Sequence, residues 1–101
     1  MLAHNVYFSL HDKSPNAKAK LINSCKTLLT GHAGVEFFAC GELAAGMDRP
    51  VNDRDFDVAL HIVFPDREHH DLYQTAGRHL KFVAENKASW EKVRVFDSIV
   101  D

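Results

Sequence analysis

The chain has 101 residues, of which 46% are apolar and 26% charged, with a formal net charge of -2. That is the composition of one ordinary globular domain, residues 1–101, and it lacks the basic excess that nucleic-acid binding needs. No apolar run approaches the ~18 residues of a membrane span and no leader of signal type opens the chain. Cys25 and Cys40 lack CxxC or metal spacing, so a cytoplasmic protein with no membrane and no nucleic-acid partner is expected.

Residues 3 to 11 alternate. His4, Val6, Phe8 and Leu10 share one face and Asn5, Tyr7, Ser9 and His11 the other, the period of a strand with one side on a core. That face begins with a histidine, which makes His4 the first residue to account for. Ser14-Pro15 reads as a helix start: Ser14 can accept from a free backbone N–H, and proline costs nothing at the first helical position. Ala17, Leu21, Ile22, Cys25, Leu28 and Leu29 follow at helical spacing, and Gly31 is the expected stop.

Val35 to Gly41 reads as a second strand with apolar residues on both sides, Val35, Phe37 and Ala39 against Phe38 and Cys40. A sheet open to water on one side alternates more cleanly, so something covers each face. Residues 44 to 55, AAGMDRPVNDRD, are a loop. Phe56 to Phe64 is the third strand, with Phe56, Val58, Leu60, Ile62 and Phe64 in phase. A helix is predicted over 67–76, broken at Gly77, and then a second helical piece with His79, Phe82, Val83 and Asn86 three and four residues apart. Trp90 leads into a last strand, Val93 to Val100.

The order β, α, β, β, broken α, β predicts an α+β, ferredoxin-like fold, a four-stranded antiparallel sheet with helices on one face. The apolar content of the other face calls for a partner sheet, most simply a homodimer through the sheet faces forming a dimeric α/β barrel.

Several quoted positions also carry a family pattern. His4, Val6 and Phe8 form a His-x-Val-x-Phe start. Gly34-Val35 turns into the second strand, Gly41 ends it, and Asp55-Phe56-Asp57 approaches the third. Tyr73, His79, Phe82, Trp90 and Val95-Phe96-Asp97 complete the series. Together, and over nearly the whole chain, they resemble the stress-responsive α/β-barrel (Dabb) domain family. The resemblance implies a dimeric ferredoxin-like barrel, and a plant member is a polyketide cyclase whose pocket lies under the helices. By matching position, its catalytic groups fall on His4 and His79, with Tyr73 assisting. Its pocket wall falls on Val6, Phe8, Leu21, Ile22, Leu60, Phe82 and Trp90. A further tyrosine of the cyclase falls on Cys25, which removes a hydroxyl, and a His-Pro before the second histidine is replaced by Ala76-Gly77.

Two functions stay open. In one, the chain binds or transforms a compact hydrophobic oxygenated compound, with neutral imidazoles moving protons in cyclase- or lyase-like chemistry. In the other, it is a non-enzymatic stress-response or structural dimer with a filled pocket. No cofactor and no metal site is expected. Within Glu68-His69-His70-Asp71, adjacent histidines on a helix point about 100° apart and cannot chelate one ion together.

Overall fold

The computed structural model describes residues 1–101. Strands β1 (Leu2–Leu10), β2 (Phe37–Glu42), β3 (Val58–Phe64) and β4 (Trp90–Ile99) form one antiparallel sheet in the order β2-β3-β1-β4. Helices α1 (Pro15–Leu28), α2 (Arg67–Thr75) and α3 (Gly77–Asn86) complete the ferredoxin-like arrangement expected from the element order.

Alternation along β1 decides which residues meet the helices. Leu2, His4, Val6, Phe8 and Leu10 are buried, whereas Asn5 and Tyr7 face the uncovered side. As a central strand, β1 sets His4 opposite Ile62 of β3 and opposite Asp97 of β4. Helix α1 begins as its sequence predicts: Ser14 Oγ accepts from the Ala17 N–H at 3.2 Å, and Pro15 occupies the first turn. Its apolar stripe, Leu21, Cys25 and Leu28 with Leu29 beyond, enters the core alongside Val58, Leu60, Ile62 and Phe64. The turn into β2 is tight. Gly34 has φ +77°, and a Cβ there would sit 2.5 Å from the His69 ring, so only glycine fits.

The structure corrects the sequence reading in several places. Strand β4 starts at Trp90 and ends at Ile99, not at Val93 and Val100. Helix α1 ends at Leu28, short of Gly31, whose left-handed φ of +70° belongs to the following turn. The helical break lies at Ala76, in extended conformation, and Gly77 opens α3. Val35 precedes β2 and packs on the core with Phe38 and Cys40, while Phe37 is exposed. Phe56 precedes β3 and packs against Tyr7 on the uncovered side. In the last two cases strand alternation was extended past the end of the ladder. Asp57 is pinned by both backbone and side chain: its N–H donates to the Phe8 carbonyl at 2.8 Å, and its Oδ2 accepts from the Leu10 N–H at 2.8 Å and from Lys13 Nζ at 2.9 Å.

The helices stop short of β4. Its inward-phase side chains Val93, Val95 and Ile99 stay exposed, and a trough remains between α2 and α3 on one side and β1 and β4 on the other. No helix is long and apolar enough to cross a membrane.

Candidate functional site

The trough is a cleft of about 330 Å³ lined by His4, Val6, Phe8 and Leu60 from the sheet, His70, Tyr73 and Gln74 from α2, His79, Phe82 and Val83 from α3, and Trp90, Val93, Val95 and Asp97 from β4. His4, Tyr73 and His79, distant in sequence, therefore share one wall. The Tyr73 ring lies between the two imidazoles, 6.1 Å from His4 and 4.6 Å from His79 between centroids. Of the apolar wall implied by resemblance, Val6, Phe8, Leu60, Phe82 and Trp90 line the cleft. Leu21, Ile22 and Cys25 do not. Helix α1 packs over β2 and β3, so Leu21 and Cys25 are sealed in the core, Ile22 packs against it, and the cleft opens toward β4 instead.

Two polar members of the cleft, Asp97 and His70, have no site role in the sequence reading. Asp97 Oδ1 lies 2.6 Å from His4 Nδ1, and the His70 ring stands edge-on to His4 with centroids 4.9 Å apart. The signals were present. Asp97 is in phase with Val93 and Val95, so pairing β4 with β1 brings it beside His4. His70 precedes Tyr73 by three residues and so shares its helix face.

Geometry alone suits a His4–Asp97 ion pair, but burial dominates. Desolvation pushes the His4 pKa below its ordinary value, overriding the Asp97 hydrogen bond and charge that raise it; the neighbouring His70 lowers it further. At neutral pH the imidazole is uncharged. Since a carboxylate only accepts, Nδ1–H is the donor to Asp97, and Nε2 keeps its lone pair. His79 is likewise lowered, chiefly by burial and against the Gln74 backbone, with His4, His32 and His70 adding to the fall. Burial pushes the Tyr73 hydroxyl upward, so it remains a phenol and a donor. Burial also pushes the Cys25 thiol up to about 12, which removes it as a nucleophile.

Not every polar atom here is satisfied. His79 Nδ1 and Trp90 Nε1 are buried and have no hydrogen-bond partner. Both belong to residues lining the cleft. For metal ligation, His4, His70 and Asp97 each bring one donor atom within 4.8 Å of the other two. His69 takes no part; its Nδ1 is 2.7 Å from Asp66 Oδ1 at the start of α2.

A larger hollow of about 450 Å³ lies across the sheet, where Asn5, Tyr7, Phe56, Arg94 and Phe96 meet the 43–56 loop. Tyr7 packs there against Phe56, His61 and Phe96, and His61 Nδ1 lies 2.7 Å from Asn5 Oδ1. This hollow joins aromatic walls to a charged rim, where Arg94 Nη1 donates to Asp53 Oδ2 at 2.9 Å beside Arg54, but it holds no buried histidine; the imidazoles cluster under the helices.

The model of the Stress Responsive A/B Barrel Domain matches residues 2–100. The chain belongs to this family, Dabb. Its fold recurs in solved structures of low identity. A Dabb family protein with a ferredoxin-like fold from Mesorhizobium loti is 20% identical, with a TM-score of 0.79 over 99% of this chain and 96% of that one. A dimeric ferredoxin-like protein of unknown function from Thermobifida fusca is 15% identical, with a TM-score of 0.79 over 98% and 90%. The hydroxynitrile lyase of Passiflora edulis is 18% identical, with a TM-score of 0.77 over 99% and 93%. No curated protein matches this Dabb chain in sequence.

The lowered histidines give the Dabb chain a definite pH dependence. Their native pKa values lie below the unfolded value of about 6.5, so as pH falls the unfolded chain binds protons first. Stability should be full above about 7, decline below about 6.5, and level off only once the native imidazoles titrate. Urea unfolding at a series of pH values should show this decline, and His4→Gln with His79→Gln should flatten it. The lowered carboxylates, such as Asp66, act in a separate window below about 4.

Proposed function

We propose that the cleft binds a compact hydrophobic molecule carrying carbonyl or phenolic oxygens and moves protons on it. The carrying observation is the pair of buried, unpartnered atoms, His79 Nδ1 and Trp90 Nε1, on residues that line a mainly apolar cleft whose other polar groups are His4, His70, Tyr73, Gln74 and Asp97. An unpaired buried donor costs about 1–3 kcal/mol, and a ligand oxygen accepting from the Trp90 N–H recovers part of it. A volume of 330 Å³ lies at the lower end of small-molecule pockets, the size of a single substituted ring.

The roles follow from protonation state. His4, held by Asp97, offers an unprotonated Nε2 as general base for a carbon or oxygen acid. Tyr73, a neutral phenol between the imidazoles, and His79 stabilise the oxyanion that develops. Enolisation, with cyclisation or lyase cleavage following from it, is the reaction class. That a hydroxynitrile lyase shares this fold supports acid–base chemistry on such a scaffold. The cleft is not filled by side chains, which favours a binding role over a purely structural one.

The same reading makes the protein a homodimer. Phe37 and Phe96, 54% and 51% exposed, sit with Tyr7, Phe56 and His61 on the side of the sheet without helices, and dimeric proteins share the fold. Light scattering should return twice the 11.4 kDa chain mass at micromolar concentration, and Phe96→Glu should shift it toward one. A wild-type monomer contradicts the barrel.

Trp90 is the chain's only tryptophan, so its indole N–H gives a single nitrogen-15 resonance. Titration with 2,4-dihydroxyacetophenone should move that resonance saturably downfield as the N–H gains an acceptor. His79→Gln should weaken binding by up to about tenfold, the worth of one hydrogen bond. An unmoved Trp90 signal across a panel of phenols and ketones removes the binding role.

A further inference from the structure

We propose that His4, His70 and Asp97 form a site for one divalent transition-metal ion at the polar end of the cleft. The three side chains come from β1, α2 and β4, so the site exists only in the folded chain. One donor atom from each lies within 4.8 Å of the other two. Ligands at about 2.0–2.2 Å from a common ion stand about 3–4.2 Å apart, so closure needs side-chain shifts of roughly 1 Å or less. Two imidazoles and a carboxylate suit zinc, iron(II), cobalt(II) or nickel(II), and not magnesium or calcium, which prefer oxygen alone.

His70 is arranged as ligating histidines are. Its Nδ1–H donates to Asp71 Oδ1 at 3.0 Å, which leaves Nε2 unprotonated, and Nε2 accepts only a long 3.4 Å contact from the Gln74 amide. Access is open on one side, since the Asp97 side chain is 43% exposed while His4 is buried. The ion replaces the proton shared by His4 Nδ1 and Asp97 Oδ1, and that proton passes to solvent. The polar end of the cleft then changes from a proton-transfer pair to a Lewis acid whose remaining positions take a ligand oxygen. This inference rests on the cleft reading only for that organic oxygen; ion binding stands apart from it.

The test titrates cobalt(II) chloride into the metal-free full-length protein, read by calorimetry and visible absorption, with circular dichroism confirming the fold of each variant. Wild type should bind one ion per chain and gain histidine-coordinated cobalt bands. His70→Ala and Asp97→Asn should each weaken binding at least about tenfold, and His69→Gln, next in sequence but outside the cluster, should leave it unchanged. Binding weaker than about 1 mM in wild type, or equal losses in the His69 and His70 variants, overturns the site. Cobalt binding with the expected variant pattern but no response of the Trp90 N–H to phenols and ketones would leave the ion site standing and remove the organic ligand. The opposite pattern would remove the ion alone.

Discussion

Everything in the cleft depends on an imidazole held in a place that disfavours its charge. β1 is the central strand, and its inward face must be buried for the sheet to hold its helices. His4 occupies that face at 5% exposure, between Leu2 and Val6. Such a position is stable for a neutral ring whose one N–H is satisfied, and Asp97, across the β1–β4 ladder, satisfies it. The same bond selects the tautomer. In the metal-free protein, with Nδ1 committed to the carboxylate, Nε2 is the nitrogen left to take a proton.

The second constraint is the missing cover over β4. The one helical layer does not span all four strands, so the inward residues of β4 form one bank of a trough and the broken α2–α3 segment the other. The break at Ala76 has a use. It redirects the chain so that α2 presents His70 and Tyr73, and α3 presents His79 and Phe82, to the same space. Apolar walls then keep that space dry enough for burial to lower both His4 and His79. The opposite side of the sheet carries the Asp53–Arg94 ion pair but no cluster of buried histidines, and its exposed aromatic residues suit contact with a second copy.

Much of the fold was legible because β1 and α1 obey simple periods with their own stop and start signals. His4 announced itself as a polar residue in an apolar phase, and Ser14-Pro15 marked its helix. Legibility failed where a ladder ended. Phe56 and Val35 look in phase with the strands beside them, but both lie outside the regular strands, and Phe56 turns to the opposite face just before Asp57, which backbone and side-chain bonds to Phe8, Leu10 and Lys13 hold in place. The site was harder, because its geometry comes from register rather than from local pattern. Asp97 reads as an exposed strand-end acid until β4 is laid against β1. Leu21 and Cys25 sit on the correct helix stripe for a pocket under α1, but which strands that helix covers is a tertiary fact. Along the chain His70 stands beside His69, whereas its partner in the fold is His4, on the central strand.

The most direct test of this account is nitrogen-15 NMR of the imidazoles in metal-free protein, followed from pH 8 to pH 4 and assigned by loss of single peaks in His4→Gln and His79→Gln. The account predicts that His4 is protonated at Nδ1 and bare at Nε2 near neutral pH, and gains its second proton below the ordinary value of about 6.5. A His4 ring already doubly protonated at pH 7, or carrying its single proton on Nε2, would contradict it: the first makes the Asp97 contact a true ion pair, and the second leaves no basic nitrogen facing the cleft.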